Sequence, residues 1–512
     1  MQKQKYRSRI RQIFGRRLLI ALMILFQIVF LAVMLFRSYQ LYWLAALLTA
    51  LSVVTSLHLI MRPDKSAFKL SLVFLIMLFP IFGGVFYWVF HFQTASVGFR
   101  RRLDKLTQKQ KREFLVSAAA LERAIGESPK DSRLLRYLQG VPAFPVYQNT
   151  QTRYFPSGRE MLEVMLADLR RAEKYIFMEY FIIEEGMMWD SILEVLREKA
   201  LAGVDVRVIY DDFGSILTLP AGYAKQLNAS GIQCVAFNKF HPFLTTLQNN
   251  RDHRKITVID GKIAYTGGVN LADEYIDVKI RFGRWKDNAL RLCGEAAESF
   301  TVMFLQMWSL LSKKEEHPRA YLPSPHFTAV SDGWIQPYSD SPVDKENVGE
   351  SVFLHAFDRS QKYLYITTPY LMVGDELISA LKACAGSGVD VRIITPCKPD
   401  KPMVHFTTRS YYRELIEAGV KIYEFTEGFI HGKTVISDGD FAVVGTVNLD
   451  YRSLYLHFEC GVCMYGAATI SEVERDFLET LSRCREITAE DCKTNLFVEL
   501  LQEICRVFAP LM

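Results

Sequence analysis

HRKITVIDG, residues 253–261, returns as HGKTVISDG at residues 431–439, 178 positions downstream. Each stretch carries a His, a Lys two residues on, and an Asp-Gly pair five residues after that. ITVI (256–259) and TVIS (434–437) read as strands, and the Asp-Gly that follows each is a strong hairpin-turn signal. Side chains alternate along a strand, so His253 and Lys255 face one way, as do His431 and Lys433. Asp260 and Asp438 fall at the turns. With two-residue turns, the returning strands place Gly268 opposite His253 and Thr446 opposite His431. Asn270 and Asn448 follow two positions later. Each hairpin is then expected to offer one His, one Lys and one Asn, with small residues leaving room for a ligand.

That set suits a phosphate. Lys supplies fixed positive charge, the Asn amide donates hydrogen bonds, and His serves as nucleophile or acid–base near neutral pH. It does not suit a metal, because an ammonium beside the imidazole repels a cation and no cluster of carboxylate or Cys ligands accompanies it.

Outward from the motifs, the chain beyond residue 113 reads as α/β with an internal repeat. YIFMEYFII (175–183), a helical stretch and GVDVRVIYDD (203–212) are matched by YLYITTPYL (363–371), a helical stretch and GVDVRIITP (388–396). GIQCVAFN (231–238) and GVKIYEF (419–425) close the two series. Two homologous halves are expected, each a β-sheet flanked by helices.

The N-terminus is different. Three apolar blocks, 18–36, 41–61 and 70–90, are each about as long as the ~20 residues a helix needs to cross a bilayer. Seven Lys/Arg precede residue 18, and residues 100–112 hold seven more against one Asp. The positive-inside rule wants both clusters on the cytoplasmic side, which requires an even number of crossings. The block at 70–90 contains Pro80 and Gly83-Gly84, so it is expected not to cross fully. His58, inside the second block, reads as a satisfied or interfacial histidine. The net charge of +5 is too modest to argue for a nucleic-acid groove.

All nine cysteines lie from Cys234 onward. An odd count in a long chain argues against a disulfide framework, and CGVC (460–463) continues an apolar strand, so buried reduced thiols are expected there. Reduced thiols also favour the cytoplasmic side for this region.

On these features the chain resembles the phospholipase D superfamily and, more narrowly, the bacterial cardiolipin synthases. The resemblance rests on FPIFGGVFYWVF (79–90), NRDHRK (250–255), GGVNLADEY (267–275), TPYL (368–371), GFIHGKT (428–434) and GTVNLDYRS (445–453). It implies two phospholipase D-like halves sharing one active site, with His253, Lys255, Asp260, His431, Lys433 and Asp438 as the catalytic motif residues. Asn270 and Asn448 would bind phosphate. By position, Asp287 in RWKD would support His253, and Glu459 in LHFE would support His431. His457 departs from the family, which more often has Asn there. Asp260 and Asp438 belong to the motif, yet their turn position favours a hairpin-fixing role.

The implied reaction joins two phosphatidylglycerol molecules into cardiolipin and glycerol through a phosphatidyl-histidine, with no cofactor or metal. His253 would be the nucleophile. The partners would be phosphatidylglycerol and anionic membrane lipids, and the location the bacterial cell membrane, multi-pass, with a cytoplasmic catalytic region. The residues alone leave water open as acceptor, which would make a hydrolytic phospholipase D; a nuclease and a non-catalytic membrane scaffold fit less well. The expected organisation is a membrane region at 1–95, a basic juxtamembrane linker at 96–140, and the two halves at 141–320 and 321–512.

Overall fold

The computed structural model describes residues 29, 42–79, 83–91, 94–113, 118–239, 249–323, 327 and 329–512. Two sheets dominate it. The first has seven strands in the spatial order Thr150–Phe155, Ala289–Gly294, Ile263–Gly267, Lys255–Ile259, Tyr175–Tyr180, Asp205–Asp211, Gln233–Phe237. The second repeats that order as Trp334–Asp340, His457–Tyr465, Phe441–Gly445, Thr434–Ser437, Tyr363–Thr367, Asp390–Pro396 and Lys421–Phe425, then adds Cys484–Ile487 at its edge. The last three strands of the first series are parallel, as are their counterparts. Strands in such positions are covered on both faces and are therefore near-continuously apolar; every residue of YIFMEY (175–180) is buried. The sheets meet closely enough to bring Thr266 Oγ1 within 3.5 Å of Cys460 Sγ. Cys460 and Cys463 are buried free thiols, and burial raises the Cys460 thiol to about 12, as suits core packing.

The motif hairpins have three-residue loops. Ile259 pairs with Ile263 and Ser437 with Phe441, leaving Asp260, Gly261 and Lys262, or Asp438, Gly439 and Asp440, in the loop. The expected two-residue turns were one residue short. The pairing consequently slips by one, and neither Gly268 nor Thr446 lies directly opposite its histidine. Asp260 (φ 53°) and Gly261 (φ 67°) both take left-handed backbone, which Asp and Gly tolerate best.

Residues 118–140, assigned to a linker from the sequence, form helices that enter the core. Leu134, Leu135 and Leu138 are buried, and Asp131 is held by Arg359 and His355, each at 2.8 Å. The basic helix Thr94–Glu113 also docks on the body, with Arg102 donating to the Ser309 carbonyl at 3.1 Å.

Of the three apolar blocks, 18–36 lies outside the described residues except for Val29. Helix Tyr42–Met61 is long and apolar enough to cross a membrane, and among the described residues no other helix is. The expected block 70–90 is divided between helices Ser66–Leu78 and Gly83–His91. Gly83–His91 packs back on Tyr42–Met61: the Gly84 amide donates to Ser52 Oγ at 3.1 Å, and Trp88 Nε1 to Thr55 Oγ1 at 2.9 Å. A Cβ on Gly84 would come within 2.9 Å of the Ser52 backbone, so glycine permits this approach. His58 stacks near Trp88, ring centres 5.3 Å apart.

Candidate active site

The two halves exchange short strands. Arg251–Asp252, just before the first motif, pairs with the start of the second half's strand His457–Tyr465. Gly428–Ile430, just before the second motif, pairs with Arg284–Lys286 of the first half. The exchange continues into the motifs: the His253 amide donates to the Phe458 carbonyl at 3.0 Å, and the His431 amide to the Lys286 carbonyl at 2.7 Å. Each histidine is thus fixed by backbone of the opposite half. Within the first half, buried ion pairs hold the pre-motif segment in place, with Arg254 on Glu179 at 2.5 Å and Arg251 on Asp211 at 2.9 Å.

The carboxylate partners follow the exchange. His253 Nδ1 lies 2.8 Å and 3.0 Å from the two oxygens of Glu459, and His431 Nδ1 lies 2.7 Å from Asp287 Oδ2. This reverses the pairing expected from sequence position, which kept each acid with the histidine of its own half. Each pre-motif segment pairs in parallel with the other half's residues just ahead of its carboxylate, His457–Phe458 before Glu459 and Arg284–Lys286 before Asp287, and this is the cause.

Gly268 and Thr446 support the carboxylates rather than opening space beside the histidines. Thr446 Oγ1 donates to Glu459 Oε2 at 2.5 Å. A Cβ on Gly268 would fall 1.9 Å from Asp287 Oδ1. Asn288, which the sequence reading missed, accepts from the Lys433 amide at 3.1 Å through its side chain. Its place directly after Asp287 was the available signal.

Lys255 and Lys433 are buried at the same centre. Lys255 Nζ donates to the His253 carbonyl at 2.5 Å, and Lys433 Nζ donates to the His431 carbonyl and lies 2.9 Å from His431 Nδ1. Burial, opposed by Glu459 and Asp287, lowers the Lys255 ammonium to about 8; burial likewise lowers Lys433 to about 7, with Lys255 adding repulsion. Burial and then Lys433 bring His431 to about 4, against the pull of Asp287. His253 is pushed well below its ordinary value by burial, then by Lys255 and Lys433. For Asp287, burial acts upward, but His431 and Lys433 hold the carboxyl below its usual range. The imidazoles are neutral, and burial destabilises both ammoniums, so a bound anion would favour their charged forms.

Asn270 is largely engaged within the protein: its oxygen accepts from the Ile182 amide at 3.1 Å and its nitrogen donates to Tyr275 OH at 2.7 Å. Asn448 is buried beside Asp450, with its oxygen unbonded. Asp260 and Asp438, grouped with the catalytic residues from sequence, sit at the far ends of the hairpins. Asp260 accepts from the amides of Glu173, Lys174 and Tyr175 at 2.9, 2.7 and 2.9 Å. Asp438 does the same for Gln361, Lys362 and Tyr363. Both tie the hairpin loop to the start of the neighbouring strand. His457 is half-buried with neither ring nitrogen hydrogen-bonded, its Nδ1 3.7 Å from Glu459 Oε1 and its ring 5.4 Å from that of His253. His253, His457 and Glu459 form the one metal-ligand-type cluster among the described residues, with atoms within 4.8 Å of one another. The charge of Lys255 and Lys433 on His253 opposes a cation there.

A duplicated sheet with one His and one Lys from each half at a common centre defines a two-motif phosphodiester-transfer enzyme of the phospholipase D type. The family described as "Cardiolipin synthase, PLD-like domain" matches residues 165–308 and 353–481. The cardiolipin synthase of Geobacillus kaustophilus is 34% identical over 439 residues, covering 85% of this chain and 87% of that one. An uncharacterized protein of Streptococcus mutans is 44% identical over 438 residues, covering 85% of this chain and 94% of its own. The crystal structure of phosphatidylserine synthase from Haemophilus influenzae superposes with a TM-score of 0.57 at 18% identity, over 75% of this chain and 98% of that one, a likeness of fold. The chain belongs to the cardiolipin synthase family of the phospholipase D superfamily. It is a membrane-associated phosphatidyltransferase.

Proposed function

We propose that the protein joins two phosphatidylglycerol molecules into cardiolipin and glycerol through a phosphatidyl-histidine. The observation that carries this reading is the pair of crossed His–carboxylate contacts, Nδ1 to Glu459 and Nδ1 to Asp287, beside two buried lysines. With Nδ1–H donated to a carboxylate, Nε2 of each imidazole is the atom left for chemistry. His253 Nε2 bonds to phosphorus as the P–O bond to glycerol breaks, and His431 Nε2 gives the departing oxygen its proton. The terminal hydroxyl of a second phosphatidylglycerol then returns a proton to His431 while its oxygen replaces His253 on phosphorus. The anionic phosphodiester steadies the buried ammoniums and raises the proton affinity of His431, equipping it as the acid. Lys255 and Lys433 offset charge on the non-bridging oxygens.

One phosphodiester is exchanged for another, so neither a nucleotide-activated donor nor a divalent metal is required. Purified protein given phosphatidylglycerol vesicles alone, with EDTA present, is expected to release one glycerol per cardiolipin. Phosphatidic acid as the main lipid product would assign hydrolysis instead. Dependence on Mg²⁺ or on CDP-diacylglycerol would overturn the mechanism.

A further inference from the structure

The C-terminal helix Leu496–Phe508 is oriented against the usual rule for a helix on a protein surface. None of its side chains is buried. Leu496, Phe497, Leu500, Leu501 and Ile504 share one face and are 82, 69, 57, 38 and 39% exposed. The side toward the body is a mixed one, with Val498, Gln502, Cys505 and Arg506 half-buried; Arg506 donates to Glu414 at 2.6 Å, and at the exposed edge Glu499 pairs with Arg413 at 3.3 Å. An amphipathic helix in water turns its apolar stripe inward. Here the narrower, mixed side attaches the helix and the apolar stripe points out.

The stripe is continuous with the membrane-proximal helices. At its end Phe508 packs edge-on against Phe74, ring centres 5.5 Å apart, and Ser71 Oγ donates to the Val507 carbonyl at 2.5 Å. Phe74 and Ser71 belong to helix Ser66–Leu78, whose Leu70, Met77 and Leu78 are also exposed. That helix starts five residues after the potential membrane-crossing helix Tyr42–Met61. We infer that Leu496–Phe508 lies in the bilayer interface, its leucine and phenylalanine face among the acyl chains, and that together with Ser66–Leu78 it seats the catalytic body on the lipid surface.

A chain of contacts links this segment to the site. The C-terminal segment packs on helix Pro402–Ser410, where Thr407 Oγ1 lies 3.5 Å from Met512 Sδ. Lys401, at the start of that helix, holds Asp400 at 2.7 Å and Tyr370 OH at 2.6 Å. Tyr370 packs near Phe429, which flanks His431. The role in catalysis rests on the function proposed above; the membrane contact does not.

Full-length protein is reconstituted in phosphatidylglycerol vesicles containing a lipid with a photoactivatable diazirine on its acyl chain, and labelled peptides are mapped by mass spectrometry. Labels within 496–504 are expected alongside those in 42–61. Labelling of 42–61 with none in 496–504, or chemical cross-links joining residues 496–504 of two copies, overturns the inference. Leu500→Glu with Leu501→Glu is then assayed on long-chain phosphatidylglycerol in vesicles and on a water-soluble p-nitrophenyl phosphodiester. A tenfold or greater loss on vesicles with the soluble activity kept supports the inference. Equal loss on both substrates marks a merely structural helix and overturns it. Lipid labels in 496–504 of a protein making no cardiolipin would leave this contact standing while the proposed function fails.

Discussion

His253 Nδ1 rests 2.8 Å from Glu459 Oε1, across 206 residues and from one homologous half to the other. With the reciprocal contact between His431 and Asp287, neither half holds a complete His–carboxylate pair of its own. Glu459→Gln keeps the shape but offers the wrong hydrogen-bonding group to Nδ1, so activity is expected to fall by about a thousandfold or more with the protein still folded. Asp287→Asn should cost a similar factor. Steady-state rates with circular dichroism check this; near-full activity in either variant would show that the carboxylates do not set the imidazoles.

Asp260 tests the opposite prediction. Its carboxylate accepts three backbone amides at the far end of the hairpin from the histidine. Asp260→Asn replaces one acceptor oxygen by a donor facing an amide, which should destabilise the protein by about 1–3 kcal/mol. Activity per folded molecule at low temperature should be kept. Thermal unfolding and kcat together decide; a fall in kcat without loss of stability would return Asp260 to the catalytic set.

Gly268 has no room for a side chain, because a Cβ would sit 1.9 Å from Asp287 Oδ1. Gly268→Ala is therefore expected to displace Asp287 from His431 and lower kcat on the scale of Asp287→Asn, with KM changed far less. An unimpaired kcat would refute this account of the glycine.

The lysines set a pH dependence. In the free site Lys433 titrates at about 7 and Lys255 at about 8, burial being the main cause for both. A bound phosphodiester anion raises both values, so binding takes up protons. Affinity is full below pH 7 and is lost as pH rises through 7 to 8 and beyond. Diethyl phosphate keeps its single charge throughout, and its Kd should weaken by about tenfold or more from pH 6 to pH 9. Calorimetry in two buffers of different ionisation enthalpy measures the proton uptake directly. Affinity independent of pH would contradict the burial of these ammoniums.

The duplicated architecture and the residues at its centre could be read from the two motifs, because His, Lys and strand pattern recur at fixed spacing. The crossing could not. Sequence distance places Asp287 near His253 and Glu459 near His431, and only the parallel pairing of Arg251–Asp252 with His457–Phe458 and of Gly428–Ile430 with Arg284–Lys286 reverses that. The hairpin register escaped for a local reason: Asp-Gly signals a turn, but Lys262 and Asp440 also belong to the loops. Residues 118–140 were misplaced because their leucines bury against the second half, across more than 200 residues, where periodicity names no partner.

The central claim is a covalent phosphatidyl-histidine formed at one of two crossed imidazoles. His431→Ala lacks the proposed acid, so it should still react with the p-nitrophenyl ester of phosphatidic acid, whose leaving group needs no proton, and should accumulate the intermediate. Mass spectrometry of that protein, quenched and digested, is expected to place the phosphatidyl group on His253, with no adduct in His253→Ala. An adduct on His431 in the His253→Ala protein, or turnover with no histidine adduct in either variant, would contradict the account.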